Sequence, residues 1–266
     1  MTNQHPKTAL ITGASSGIGK ELAHIHAEQS GHLVIVARRD DKLIALKNEL
    51  ENKHKVHVTV IPKDLTQPNA AQEIYNAVKA ADIEIDYLIN NAGFGGHGKF
   101  HERAWEEDLA MIQLNIVTLT ALCRLFLPDF VARNSGRILN VSSIASLPPG
   151  GPLQSVYFAT KHYVTAFSNG IAGELHDTNV TATALLPGAT ETEFAKAAGI
   201  EETDLFEKAF SARSVAEDGY QGMLNRKLDV ISGMTFGQRM MRASIPFTPK
   251  KILLNEIRKL QERKDS

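Results

Sequence analysis

The sequence predicts an α/β fold, a doubly wound parallel sheet of about seven strands with helices on both faces. Three observations predict it. Short β-rich runs alternate with helix-length periodic segments. A glycine-rich turn joins the first such run to the first helical segment. No repeat, low-complexity tract or Gly/Ser linker divides the 266 residues, so one domain spanning 1–266 is expected.

The elements follow in order. Thr8-Ala9-Leu10-Ile11 and Leu33-Val34-Ile35-Val36 read as strands flanking a helical stretch at 19–30. A second helical stretch, 41–52, leads into a strand at 56–61. Strands at 87–89, 136–141 and 180–185 continue the pattern, with Ala- and Leu-rich helices between them. Such βαβ alternation calls for a parallel sheet covered on both sides. Pro148-Pro149-Gly150-Gly151-Pro152 is a loop rather than a domain boundary.

Composition narrows the function classes. The chain is 43% hydrophobic and 22% charged, with a formal net charge of −1. That neutral balance gives no electrostatic case for nucleic acid as a partner. The single cysteine, Cys123, excludes an intrachain disulfide and a Cys-based zinc site, and its apolar helical setting marks an inert thiol. The start is short and polar without an apolar signal-peptide core, and the most apolar stretch, 115–131, is interrupted by Arg124, Pro128 and Asp129. A cytoplasmic location without stable membrane insertion is the expectation.

The first strand ends in Thr12-Gly13-Ala14-Ser15-Ser16-Gly17-Ile18-Gly19, and a helical pattern follows at once. Glycines in such a turn let the backbone approach a pyrophosphate, and the helix N-terminus offers free N–H groups and a positive dipole end. The spacing Gly-x3-Gly-x-Gly departs from the general G-x-G-x-x-G fingerprint. After the second strand the sequence reads Val36-Ala37-Arg38-Arg39-Asp40. A carboxylate there suits a ribose 2′-hydroxyl, whereas a guanidinium binds a 2′-phosphate bidentately. With Ala37 at the acidic position and Arg38 next to it, NADP(H) is favoured and NAD(H) is possible. Asp40 either caps the next helix or serves the ribose.

Tyr157 and Lys161 stand four residues apart, on one face of a helix. That spacing alone is common by chance. A cation beside a phenol favours the phenolate, and bringing a tyrosine from 10 to 7 takes roughly 4 kcal/mol. One lysine falls short of that, and a second positive charge, such as an oxidised nicotinamide, would help.

Thr-Gly-x3-Gly-x-Gly, Asn90-Asn91-Ala92-Gly93, Tyr157-x3-Lys161 and Pro187-Gly188 occur in that order. Together they resemble the short-chain dehydrogenase/reductase family, in its single-domain branch with a Rossmann-type sheet. Val36-Ala37-Arg38-Arg39 and Phe94-Gly95 look like its DltE-like group. The resemblance implies a mainly cofactor-binding half, 1–135, and a catalytic and substrate-binding half, 136–266. It implies cofactor contacts from Gly13, Ser15, Ser16, Gly17, Ile18, Gly19, Arg38 and Arg39, and from Asp64 and Leu65 beside the adenine. Asn91, Ala92 and Gly93 would line the adenosine side, or merely shape the end of a strand. Pro187, Gly188, Thr190 and Thr192 would run under the nicotinamide. Tyr157 would be the general acid, Lys161 would lower its pKa and bind the ribose, and a serine would hold the carbonyl oxygen. Ser143 fits the pattern better than Ser142, with one inserted residue inferred in the loop 148–152. Asn115 matches a helix asparagine that positions a water for proton relay, although a satisfied structural amide is the competing reading.

The implied function is an NADP(H)-dependent oxidoreductase acting on a carbonyl or secondary alcohol, in a homodimer or homotetramer. Phe194, Ala195, Ala198, Ile200, Leu205, Phe206 and Phe210 either form an apolar lid suited to a lipophilic carbonyl or simply face the core. Residues from 233 onward pack on a sister subunit, close the pocket or touch an anionic membrane. His97 and His101 lack a third metal ligand and read as solvated or pocket-rim histidines. A non-catalytic dinucleotide sensor or scaffold is the rival from another class, and an epimerase or dehydratase of this fold is the rival enzyme.

Overall fold

A computed structural model describes residues 6–199 and 209–262. Seven parallel strands form one sheet: β1 (Thr8–Thr12), β2 (His32–Ala37), β3 (Val58–Pro62), β4 (Tyr87–Asn90), β5 (Gly136–Val141), β6 (Val180–Pro187) and β9 (Asp229–Ser232). Their order is β3-β2-β1-β4-β5-β6-β9, and every neighbouring pair is parallel. The chain winds outward from β1 in one direction and then restarts at β4 in the other. This doubly wound, Rossmann-like order opens a crevice at the carboxyl ends of β1 and β4, where the direction reverses. A separate two-strand ribbon pairs β7 (Thr190–Glu191) with β8 (Phe210–Ser211).

The strands are apolar because both faces are covered. On one face, α1 (Gly17–Glu28), α2 (Asp40–His54) and α8 (Ala212–Leu224) bury Leu22, Leu43, Leu50 and Met223 against Ile11 and Ile35. On the other face lie α3 (Ala70–Ala80), α5 (Leu119–Ala132) and α6 (Ser155–Glu174). They bury Ile74, Phe126, Phe130 and Val164 against Leu10, Leu88 and Ile138.

Four observations go beyond the sequence reading or amend it. The seventh strand, β9, lies in a stretch where no strand was located. Asp40 is the first helical residue of α2 and makes no side-chain cap bond; Arg39 holds the N-cap position. Asp40 and Asp41 instead sit in the first turn, where the helix dipole favours negative charge. The helix α4 (Trp105–Ile112) runs through a π-helical turn, Gln113–Thr118, into α5. The resulting helix, Trp105–Ala132, is long and apolar enough to cross a membrane, so Arg124, Pro128 and Asp129 interrupt it less than expected. Its inner face packs on the sheet through Leu122, Phe126 and Phe130. Finally, the chain after β7 adds, besides α8, the helices α7 (Phe194–Ala198), α9 (Phe236–Ser244) and α10 (Lys250–Gln261). Of the expected lid residues, Ile200, Leu205 and Phe206 lie outside the described residues.

Candidate active site

One cleft of about 530 Å³ runs from the turn after β1, over the ends of β4, β5 and β6, to α9 and α10. At its first end Gly13 and Gly17 hold φ of +68° and +55°, a conformation that disfavours a side chain. A Cβ on Gly13 would stand 2.7 Å from Asn91 Nδ2, and one on Gly17 2.8 Å from Thr192 Cγ2. A Cβ on Gly19 would run into the Gly13 carbonyl. The turn is therefore bare backbone at the start of α1, and this shape fits a dinucleotide pyrophosphate.

Asn91 braces that turn. Its Nδ2 donates to the Thr12 carbonyl (2.9 Å), while the Asn91 and Ala92 N–H groups donate to Thr12 Oγ1 (3.0 Å each). The motif 90–93 thus shapes the strand end, and Asn91, Ala92 and Gly93 also line the cleft. Asn90 binds Asn140 behind them at 2.9 Å.

The arginines after β2 part company. Arg38 is exposed at the cleft and faces Asp64 electrostatically. Burial works against the Asp64 carboxylate, but bonds from Thr66 and the Arg38 charge hold its pKa below the usual value. Arg39 is already engaged: Nη2 donates to Ser15 Oγ and Ser16 Oγ (2.9 Å each), and Nη1 to Glu193 Oε2 (2.7 Å). Lys42 Nζ reaches Glu193 Oε1 at 3.0 Å. Bonds from Lys42 and Arg39 bring the Glu193 carboxyl down to about 2. Glu193 therefore ties the segment after β6 across the cleft to the turn after β2, a contact the sequence reading missed. Asp40 does not line the cleft, which removes the basis for its ribose reading.

Farther along, Ser143, Tyr157 and Lys161 line the same cleft, whereas Asn115 does not. The two serines differ in their hydrogen bonds. Ser142 Oγ is turned into α6, donating to the Lys161 carbonyl (2.8 Å) and contacting Thr165 Oγ1 (2.7 Å). Ser143 caps a short 3-10 turn (Ile144–Ser146), accepting from Ala145 N–H at 3.1 Å, and stands beside Tyr157. Lys161 Nζ donates to the Val141 carbonyl (2.9 Å) and lies 5.8 Å from the Tyr157 ring centroid.

Here the electrostatics depart from expectation. Burial pushes the Tyr157 phenol up to about 12, with the Ser143 bond opposing, and brings the Lys161 ammonium down to about 8. Desolvation disfavours the charged form of each group, and the ammonium faces a ring and a carbonyl rather than the phenolic oxygen. The spacing alone does not lower the tyrosine pKa.

Asn115 stands one layer back, in the π-helical turn. Its Oδ1 accepts from Phe94 N–H (3.2 Å), and its Nδ2 donates to the Phe94 carbonyl (3.0 Å) and Thr160 Oγ1 (3.1 Å). Both amide protons are thereby used. Thr160 Oγ1 in turn donates to the Tyr157 carbonyl at 2.7 Å, so the amide links the loop after β4 to the tyrosine's helical turn.

Pro187, Gly188, Thr190 and Thr192 also line the cleft. Gly188 tolerates no side chain because the Gly233 carbonyl crosses it. Phe194 packs against the Tyr157 ring, with centroids 5.5 Å apart. His97 binds the Gln261 carbonyl (2.7 Å) and His101 sits beside Glu102, so the two have separate partners. Cys123 is buried and raised to about 12 by desolvation.

The family description "short chain dehydrogenase" matches residues 7–203. An NADP-dependent 3-hydroxy acid dehydrogenase of Schizosaccharomyces pombe is 36% identical over 198 residues, covering 73% of this chain and 75% of that protein. A short-chain dehydrogenase from Sphingobium yanoikuyae, solved in complex with NADPH, is 32% identical. It superposes with a TM-score of 0.81 over 96% of this chain and 98% of its own. A bulky-bulky ketone specific alcohol dehydrogenase from Comamonas testosteroni is 28% identical, with a TM-score of 0.78 over 97% and 98% of the two chains.

Proposed function

The chain belongs to the short chain dehydrogenase family of oxidoreductases, and from that premise we propose that it is an NADP(H)-dependent carbonyl reductase with Tyr157 as its proton donor. One observation carries the reading: Ser143, Tyr157 and Lys161 converge on a single cleft that begins at a bare glycine turn and ends in an apolar pocket. When bound, the nicotinamide supplies the hydride. Tyr157, protonated at neutral pH because burial raises its pKa, gives the substrate oxygen its proton. Ser143 donates a hydrogen bond to the same oxygen as charge develops there. Lys161 keeps a positive charge beneath the tyrosine ring. Asn115 fixes Phe94 and Thr160 around them and acts as a positioning residue.

Support for NADP(H) comes from Arg38 at the end of β2, from the missing carboxylate at Ala37, and from the two relatives whose names carry NADP or NADPH. The whole chain reads as one domain, with residues 36–39 and 94–95 pointing to the DltE-like group. A lipophilic substrate suits the wall of Phe94, Leu147, Phe158, Leu253 and Ile257.

Tyr157→Phe tests the assignment. It is expected to lower kcat for NADPH-dependent ketone reduction by about 10²–10⁴-fold, while NADPH affinity measured by fluorescence titration stays nearly intact. Turnover surviving in this variant would remove the tyrosine from its role.

A further inference from the structure

Besides Tyr157, the cleft carries seven acidic or basic side chains that its dinucleotide end and chemistry leave unequally used. Arg38, Arg39, Lys63, Asp64 and Glu193 cluster where β2 and β3 end, and Lys161 is bound to Val141. That leaves Arg242, on α9, at the opposite end. The same cleft is walled by apolar side chains, Ile245 and, from α10, Leu253, Ile257 and Leu260, with Ile257 packed in the same cluster as Tyr157 and Phe158. Among the described residues no acidic side chain lines this end, and the Arg242 guanidinium makes neither an ion pair nor a hydrogen bond. The wall also holds two amides with an idle atom. Gln154 Nε2, a donor, and Gln261 Oε1, an acceptor, are buried without a partner, in side chains that line the cleft.

A lone guanidinium at the mouth of an apolar pocket is a receptor for an anion, and its planar fork matches a carboxylate bidentately. Resting on the reductase reading above, we infer that the substrate is a lipophilic oxo acid: a ketone or aldehyde whose apolar body fills the pocket and whose terminal carboxylate binds Arg242. The arginine is then a specificity determinant and takes no part in hydride or proton transfer. Gln154 and Gln261 flank the body of the chain and satisfy a hydroxyl substituent on it, Gln154 Nε2 donating to its oxygen and Gln261 Oε1 accepting its proton.

Kinetics on matched pairs test this. A series of decanoic acids with the oxo group at successive positions, and their methyl esters, is reduced with NADPH by the wild-type chain, by Arg242→Met and by Arg242→Lys. A charged hydrogen-bonded pair at a partly exposed site is worth about tenfold, so at least one acid is expected to exceed its ester about tenfold in kcat/KM, chiefly through KM. Added salt shrinks that ratio, Arg242→Met brings it close to one, and Arg242→Lys keeps part of it. A ratio near one in the wild-type chain at every oxo position overturns the inference, as does a ratio that Arg242→Met leaves unmoved. A raised KM for NADPH, in place of a raised KM for the acid, overturns it too by assigning Arg242 to the cofactor. Reduction of esters without acid preference refutes only the oxo-acid assignment, whereas no reduction of any member by the wild-type chain sinks the reductase reading with it.

Discussion

At the scale of single residues, the arginine pair after β2 separates two roles that the sequence presents as equivalent. Arg39 has its guanidinium filled by Ser15, Ser16 and Glu193, while Arg38 stands exposed at the cleft with only the field of Asp64 upon it. Arg38 is thus the group we propose to offer its donors to a 2′-phosphate. Replacing it by a carboxylate removes charged hydrogen bonds worth about 1.5–3 kcal/mol and adds repulsion. Arg38→Asp should therefore lower the ratio of kcat/KM for NADPH over NADH by at least about tenfold. Measured with one ketone and both cofactors, an unchanged ratio would dismiss the 2′-phosphate argument. Tyr157 and Lys161 teach the complementary lesson, since their spacing was legible and their titration was not. How far burial outweighs a neighbouring charge depends on where the ammonium points, and Lys161 points at the Val141 carbonyl.

At the scale of elements, the helix formed by α4, the π-helical turn and α5 does two jobs. The wider turn brings Asn115 and Thr118 inward, where Thr118 Oγ1 reaches the Leu65 carbonyl at 2.8 Å. It leaves Leu109 and Val117 nearly half exposed on the outside, with Tyr163 of α6 exposed and stacked on Phe167. Exposed apolar side chains on neighbouring helices suit self-association, and this face is our proposed subunit contact. Leu109→Lys combined with Val117→Lys should shift a dimer or tetramer to monomer mass in light scattering; a wild-type chain already monomeric at micromolar concentration would refute the proposal. The elements also mark the limit of sequence reading. Six strands and the glycine turn were visible because their signals are local: an apolar run, then a glycine, then a helical period. β9 was missed because its four residues, Asp229–Ser232, offer only Val230 and Ile231 as an apolar signal. The π-helical turn leaves no local mark, because its side-chain pattern is set by what Asn115 and Thr118 meet in other elements. The different hydrogen bonds of Ser142 and Ser143 likewise become visible only in three dimensions.

At the scale of the whole molecule, stability is coupled to one buried imidazole that joins distant parts of the chain. His26 of α1 contacts Tyr220 of α8 through Nδ1 (2.8 Å) and the Lys7 carbonyl before β1 through Nε2 (3.0 Å), and meets the Tyr87 ring of β4 edge-on. A carbonyl can only accept, so Nε2 carries the proton and Nδ1 accepts from the Tyr220 hydroxyl. The neutral ring is fully satisfied, and burial lowers its pKa from 6.5 to about 4. The unfolded chain therefore takes up a proton below pH 6.5 that the folded chain refuses until about pH 4. The stabilisation is complete above 6.5 and drains away as the pH falls towards 4, because the unfolded state binds more protons throughout that window. The full difference is about 3 kcal/mol at 1.36 kcal/mol per unit. Urea unfolding at pH 7 and at pH 4.5 should show most of that loss in the wild-type chain. His26→Gln keeps a donor and an acceptor but does not titrate, so it should be less stable at pH 7 and should lose about 2–3 kcal/mol less on acidification. Equal losses in the two chains would mean that carboxylates elsewhere govern the acid limb and that the His26 junction is not its source.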